Sequence, residues 1–90
     1  MYQIRFTARY KREQRKLSQK DQDLLDAVAQ KIACGEKLPE KNRDHALSGN
    51  WRGYRECHVK NDLLLLYRIE KEQLFLALMN VGKHSVAFKK

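Results

Sequence analysis

Residues 53–81 read GYRECHVKNDLLLLYRIEKEQLFLALMNV, and this stretch decides the fold. Polar turns at 60–62 and 70–73 divide it into three runs of strand-forming residues, at 53–59, 63–69 and 74–81. Consecutive strands with such short connections form an antiparallel meander. The four leucines at 63–66 are typical of a strand that is covered on both faces, so we expect the middle strand to be central in the sheet.

The first 35 residues predict one strand and two helices. Apolar and polar side chains alternate over residues 2–6, which is the period of a half-buried strand. The spacing over residues 7–17 predicts a first helix with few core residues and a basic outer face. Ser18 followed by Asp21 has the form of a capping box, and Gly35 is placed to end the second helix in a left-handed conformation.

Residues 36–50 are polar and aperiodic, include Pro39 and Gly49, and predict a long surface loop. The order of elements is therefore β-α-α-β-β-β. We expect one α+β domain over residues 1–90, an antiparallel sheet with a helical hairpin packed on one face.

The charge is strongly positive and unevenly distributed. The chain carries 19 Lys and Arg against 11 Asp and Glu, and residues 1–20 contain seven basic residues and a single glutamate. Such a basic surface favours a polyanion or an acidic protein as the partner. A basic surface that serves only solubility is the alternative.

The two cysteines, Cys34 and Cys57, are not in a metal-binding or redox spacing. We expect free, buried thiols in a reducing cytosol. The chain opens without a secretory pattern, and its longest apolar run is too short to cross a bilayer, so we expect a cytoplasmic protein without membrane contact.

The three histidines are the candidate catalytic groups. His58 and Asp62 flank one turn of the meander, and the last strand returns to that end and is followed by His84. Imidazoles can donate and accept protons near neutral pH, and two of them beside arginines suit cleavage of RNA by its own 2′-hydroxyl. Histidines with only structural hydrogen bonds are the alternative reading. Zinc is disfavoured because no two of the histidines and Asp62 are spaced as zinc ligands usually are, for example at i and i+4 on a helix. We expect no metal or cofactor.

Three aromatic residues, Trp51, Tyr54 and Phe88, could stack on unpaired bases. Packing is the alternative, and it is favoured for Trp51 and Tyr54. We expect Trp51 to anchor the loop that carries His45. Phe88 could instead close an edge of the core.

The whole chain resembles the RelE/ParE superfamily of bacterial type II toxins, in particular the YafQ-type mRNA interferases. Four segments carry the resemblance, in order and at matching spacing: DHAL at 44–47, GNWRGYR at 49–55, HVKND followed by LLLY within 58–67, and GKHSVAF at 82–88. Many close relatives have an aromatic residue directly after the turn aspartate, where this chain has Leu63.

The resemblance implies a microbial-RNase-like fold and metal-independent cleavage of mRNA in the ribosomal A site. It also implies an acidic antitoxin as partner, in a complex that reaches operator DNA only through that antitoxin. By position, the implied catalytic residues are His45, His58, Asp62, His84 and Phe88. We expect RNA to contact a set of basic residues, namely Arg9, Arg12, Lys16, Arg52, Arg55, Lys60 and Lys83.

Two other functions are compatible with the composition. A ParE-like toxin would inhibit DNA gyrase by protein contact and would not need the histidines. A basic RNA-binding module would bind RNA in a salt-sensitive manner without cutting it.

Overall fold

The computed structural model describes the backbone of residues 1–81 and the side chains of residues 1–77. It confirms the predicted α+β class. The elements are β1 (Gln3–Phe6), α1 (Ala8–Gln14), α2 (Gln19–Ala33), β2 (His45–Ala46), β3 (Arg55–Lys60), β4 (Leu63–Glu70) and β5 (Gln73–Val81), with short 3₁₀ turns at Glu40–Asn42 and Gly49–Trp51. The turn and tail predicted at 82–90 lie outside the described residues.

The meander of β3, β4 and β5 forms as predicted. The five strands lie in the order β1-β5-β4-β3-β2, and both neighbours of β4 are antiparallel to it. Leu63, Leu64, Leu65 and Leu66 are each at most 1% exposed. The apolar run therefore marks the central strand, because both faces of that strand are covered.

The first strand makes the sheet mixed instead of wholly antiparallel. β1 pairs with β5 in parallel, with Ile4 opposite Leu74 and Phe6 opposite Leu76. A parallel pair requires a crossover connection, which the two helices provide. Alternating hydrophobicity identifies a strand but not its partner, so the sequence did not reveal this pairing.

The segment predicted as a surface loop, residues 36–50, is more ordered than expected. Leu38 and Asn42 within it are buried, at 7% and 8% exposure. His45 and Ala46 add a fifth strand by pairing with Glu56 and Arg55 of β3. A strand of two residues is too short to produce a periodic pattern, so the prediction of a long surface loop missed this strand.

The first helix is shorter than the predicted 7–17. Thr7 caps its start, because the hydroxyl accepts a hydrogen bond from the backbone N–H of Tyr10 at 3.1 Å. The same hydroxyl donates to the carbonyl of Ala77. Thr7 thus connects α1 directly to β5.

The second helix starts at the predicted cap. The Ser18 hydroxyl accepts from the backbone N–H of Asp21 at 3.2 Å. The Asp21 carboxylate lies 3.0 Å from the ammonium of Lys60, at the end of β3. The acidic residue of the predicted capping box therefore also connects α2 to the sheet.

The second helix ends in a Schellman motif, as Gly35 predicted. Gly35 has φ +81°, and its N–H donates to the carbonyl of Ile32 at 2.9 Å. The N–H of Glu36 donates to the carbonyl of Lys31 at 3.0 Å. These two bonds satisfy carbonyls that the last turn of the helix leaves free.

The main core lies between the helices and one face of the sheet. Its buried residues include Tyr10 and Leu25 from the helices, and Leu65 and Tyr67 from the sheet. On the other face, Leu66 packs against Leu47 and the partly buried Trp51. This contact supports the prediction that Trp51 anchors the segment carrying His45.

Both cysteines are free thiols, but only one is buried as expected. Cys57 is fully buried in the core, whereas Cys34 is exposed at the end of α2. Within residues 1–81, no helix combines the length and the apolar character needed to cross a membrane.

Candidate functional site

His45 is held at the edge of the sheet by two hydrogen-bonding contacts. Its pairing with Glu56 in the β2–β3 ladder fixes its backbone. Its Nδ1 lies 2.7 Å from the carbonyl oxygen of Arg43, and its Nε2 lies 3.0 Å from Oε1 of Glu56. Half of the His45 side chain remains exposed, at 50%. The ring is therefore fixed in orientation yet open to solvent.

Glu56 is the buried carboxylate of this region. The residue is 6% exposed, and its Oε2 has no hydrogen-bond partner among the described residues. It lies opposite Leu66 of β4, on the sheet face turned away from the helices. Sequence reasoning did not identify Glu56 as a site residue. The available signal was an acid two residues before a histidine on one strand.

His58 lies on the same face of β3 as Glu56, because the two are two positions apart in an extended strand. Its backbone carbonyl accepts a hydrogen bond of 2.6 Å from the amide of Asn42. Since β2 is only two residues long, this part of β3 has no neighbouring strand on the β2 side, and Asn42 supplies the donor that a strand would provide there. The side chain of Asn42 thus fixes the backbone at His58.

An open groove of about 620 Å³ lies beside His58, between the first 3₁₀ turn and β3. The residues that line it are mostly polar or basic: Lys41, Asn42, Arg43, His58, Val59, Lys60 and Asn61. Lys41 and Arg43 were not among the predicted RNA-binding residues. Their signal in the sequence was only a pair of basic residues in a segment read as a loop. The groove combines a titratable ring with positive charge.

Asp62 lies in the turn between β3 and β4, as predicted, and its side chain is 62% exposed. Its Oδ1 is 3.9 Å from the ammonium of Lys60, which also contacts Asp21. The predicted RNA-binding Lys60 is therefore already engaged with two carboxylates. His84, Phe88 and Lys83, which were predicted to complete the site, lie outside the described residues.

A second polar cluster lies next to His45. The Asp44 carboxylate accepts hydrogen bonds from Arg55 Nε at 3.1 Å and from the Tyr67 hydroxyl at 2.6 Å. Burial, together with the bond to Asp44, raises the pKa of Tyr67. The cluster connects the segment before β2 to the sheet, and it engages Arg55, a predicted RNA contact whose side chain is 43% exposed.

Aromatic side chains surround an arginine on the sheet. The guanidinium of Arg68 lies 4.6 Å from the ring centre of Phe75 and 5.7 Å from that of Tyr54. Trp51 contacts Tyr54 edge to face, with ring centres 5.4 Å apart. Such cation–π and edge-to-face contacts indicate a packing role for Tyr54 and Trp51.

The remaining predicted RNA contacts are on the surface. Arg12 and Lys16 on and after α1, and Arg52 before β3, are exposed. Arg9 is also exposed, but its guanidinium bonds Glu13 at 3.1 Å. Within the part of the chain that the structure describes, no group of three or more His, Cys, Asp or Glu side chains is arranged to hold a metal ion.

Comparison with known proteins identifies the family. A family model described as "Bacterial toxin of type II toxin-antitoxin system, YafQ" matches residues 2–89, which is nearly the whole chain. The chain belongs to the YafQ family. The matched range, residues 2–89, includes all three histidines. The family match is consistent with the fold described above.

Individual YafQ proteins agree with this assignment. The chain is 37% identical over 51 residues to a protein of Escherichia coli K12 named mRNA interferase toxin YafQ. That alignment covers 57% of this chain and 53% of the relative, so the chain spans about half the length of this curated relative.

Solved YafQ structures share the fold. The crystal structure of YafQ from E. coli BL21(DE3) has a TM-score of 0.77 and 26% identity, with 90% of this chain and 93% of that chain covered. YafQ in a crystal structure of the E. coli DinJ–YafQ complex has a TM-score of 0.74 and 27% identity over the same shares.

Proposed function

We propose that this chain is an mRNA interferase, the toxin of a type II toxin–antitoxin pair, which stops translation by cutting mRNA on the ribosome in the cytoplasm. The observation that carries the proposal is the family match over residues 2–89, which includes every histidine of the chain. Two described features support it: His45 and His58 belong to one face of the sheet edge, and a basic groove lies beside His58.

The proposed reaction is a transesterification within the RNA. The 2′-oxygen attacks the adjacent phosphorus while a base takes the 2′-OH proton, and the bond from phosphorus to the 5′-oxygen breaks as an acid protonates that oxygen. The products are a 2′,3′-cyclic phosphate and a 5′-hydroxyl end. A cation beside the phosphate stabilises the negative charge of the transition state.

The catalytic residues that we propose are His45, His58, Asp62, His84 and Phe88. His58 lines the basic groove, so its ring is placed where a phosphate would be attracted. By family resemblance, His84 and His58 are the candidates for the two proton transfers, and Phe88 would stack on a base. Asp62 would support His58 from the turn after β3.

The proposed partner is an acidic antitoxin. The related YafQ of E. coli was crystallised with DinJ, in a structure described as a toxin–antitoxin complex. The excess of basic residues in the first twenty positions suits an acidic segment that orders as it binds. In this proposal the antitoxin also mediates any binding to operator DNA.

The function is tested by inducing the chain briefly in cells that lack the antitoxin and mapping the 5′ ends of mRNA. We expect translation to stop and new ends to appear within codons. His58→Ala and His84→Ala should abolish both effects, because a positioned acid or base contributes about 10²- to 10⁴-fold. Glu72→Ala, in the exposed β4–β5 turn, is the matched control and should retain them.

Two other outcomes would overturn the proposal in favour of the alternative functions. Inhibited DNA supercoiling with intact mRNA would indicate a gyrase inhibitor of ParE type. Salt-sensitive RNA binding without strand scission would indicate a binding module.

A further inference from the structure

We propose that Glu56 is a positioning residue that holds His45 as an imidazolium, and that His45 therefore serves the RNA as a fixed positive charge and not as a proton-transfer group. The inference rests on the proposed nuclease function for its meaning in catalysis. The pairing itself rests only on the geometry of three residues, His45, Glu56 and Arg43.

Nδ1 of His45 lies 2.7 Å from the carbonyl oxygen of Arg43. A carbonyl oxygen can only accept a hydrogen bond, so Nδ1 carries a proton and donates it. Arg43 presents this carbonyl from a left-handed backbone conformation, with φ 50° and ψ 44°. The turn before β2 therefore keeps a proton on Nδ1, because it directs the Arg43 carbonyl at this nitrogen.

The other ring nitrogen of His45, Nε2, lies 3.0 Å from Oε1 of Glu56. A hydrogen bond between these atoms requires one proton, on the imidazole or on the carboxyl group. Of the two groups the imidazole is the stronger base, so we assign the proton to the imidazole. Because Nδ1 is protonated as well, His45 is then an imidazolium paired with a carboxylate.

The Glu56 side chain is buried, at 8% exposure. A buried carboxylate is stable only when it is paired or hydrogen-bonded. Asp44 and Arg55, which adjoin His45 and Glu56 in the sequence, bond to each other. Among the described residues, His45 is the hydrogen-bond partner of the Glu56 carboxylate, and Oε2 has none.

Both ring nitrogens of His45 are already engaged in hydrogen-bonding contacts. Neither is free to take the proton of a 2′-hydroxyl, since Nδ1 faces the carbonyl of Arg43 and Nε2 faces Glu56. The ring is nevertheless half exposed and lies on the same sheet face as His58. A fixed cation in that position stabilises negative charge on a phosphate without any transfer of its proton.

The pairing is tested by NMR of the ring nitrogens in the ¹⁵N-labelled protein at pH 7. In the parent we expect both nitrogens of His45 to be protonated. In Glu56→Gln the amide can donate to Nε2, so we expect a neutral ring with the proton on Nδ1. Glu70→Gln, which removes an exposed carboxylate from β4, is the matched control and should resemble the parent. A neutral His45 in the parent would overturn the inference.

The catalytic role is tested by substitutions of His45 in the cleavage assay. His45→Gln removes the charge and should lower the cleavage rate by about 10²-fold, the size of effect seen when one transition-state donor is lost. His45→Lys keeps a positive charge, and its ammonium group cannot accept a proton at pH 7. We expect it to retain activity within about tenfold of the parent. Equal loss in the two variants would contradict a purely electrostatic role.

The two readouts separate this inference from the proposed function. If the parent does not cut RNA, the proposed function fails, and the NMR experiment still decides the His45–Glu56 pairing. If Glu56→Gln does not fold, the ring nitrogens of the parent and the comparison of His45→Gln with His45→Lys still decide it.

Discussion

At the edge of this sheet, single hydrogen bonds hold the residues of the candidate site where strand pairing ends. β2 ends after two residues, and beyond it the carbonyl of His58 is bonded by the side chain of Asn42. The carbonyl of Arg43 likewise fixes the ring of His45. The candidate site is therefore positioned by side-chain contacts from residues 42–45 and not by a long strand.

Asn42→Ala tests this arrangement. The change leaves a strand carbonyl without its donor in a place where Asn42 is 8% exposed. We expect the free energy of unfolding to fall by about 1–3 kcal/mol, measured by urea denaturation. Asn61→Ala alters an exposed residue of the same groove and should change stability by less than about 0.5 kcal/mol. Equal stability of the two variants would show that the Asn42 bond contributes little.

The sequence pointed to candidate histidines but not to their partners. His58 was proposed from imidazole chemistry and the predicted topology, and His45 was proposed from the family resemblance. Glu56 was missed because its importance depends on the pairing of β2 with β3, and β2 has no periodic signal. Asn42 was missed for the same reason, since its partner is 16 residues away in the sequence.

At the scale of elements, the local signals were reliable. The capping serine of α2, the terminal Gly35 and the leucine-rich central strand all occur where the sequence predicted them. The β1–β5 pairing and the β2 strand depend on contacts between distant parts of the chain. Such contacts produce no pattern within a short window of sequence, so the β1–β5 pairing and the β2 strand were not predicted.

Gly35→Ala tests the end of α2. Its φ of +81° is unfavourable for any residue with a Cβ, although nothing lies within 4 Å of where that Cβ would be. The cost is therefore one of backbone conformation alone, and we expect a loss of about 1 kcal/mol in thermal or urea unfolding. Gly35→Asn should cost less, because asparagine tolerates the left-handed region better. A larger loss for asparagine would contradict this explanation.

The basic face of α1 is tested by the salt dependence of RNA binding. Arg12 and Lys16 are exposed, and if both contact phosphates, the double substitution to alanine should reduce the slope of log affinity against log salt by about 1.4 for a single-stranded RNA. Lys20→Ala with Lys31→Ala removes the same charge from α2 and is the control. An equal reduction in the control would show that general charge, and not this face, determines binding.

At the scale of the whole molecule, the core predicts a loss of stability in alkali. Burial, with smaller effects of Asp44 and Glu56, raises the pKa of the Cys57 thiol from 9.0 to about 12. Between these values the unfolded chain loses the thiol proton while the folded chain keeps it, so stability falls as pH rises from about 9 to 12. Burial similarly raises the pKa of Tyr10 to about 12.

Cys57→Ala should make this alkaline decline shallower, as measured by urea unfolding at a series of pH values. The variant will be less stable overall because it leaves a small cavity, so the test is the slope against pH and not the absolute value. Cys34→Ala removes the exposed thiol and should keep the slope of the parent. An unchanged slope in Cys57→Ala would assign the decline to other groups.

The central claim is that this YafQ-family chain cuts mRNA by attack of the RNA's own 2′-hydroxyl. The most direct measurement adds the purified protein to ribosomes programmed with a defined mRNA and identifies the ends of the products. The account predicts a cut within a codon, with a 2′,3′-cyclic phosphate and a 5′-hydroxyl, and no cut when a 2′-deoxy nucleotide replaces the one that attacks. Intact mRNA, or equally efficient cleavage of the 2′-deoxy substrate, would contradict it.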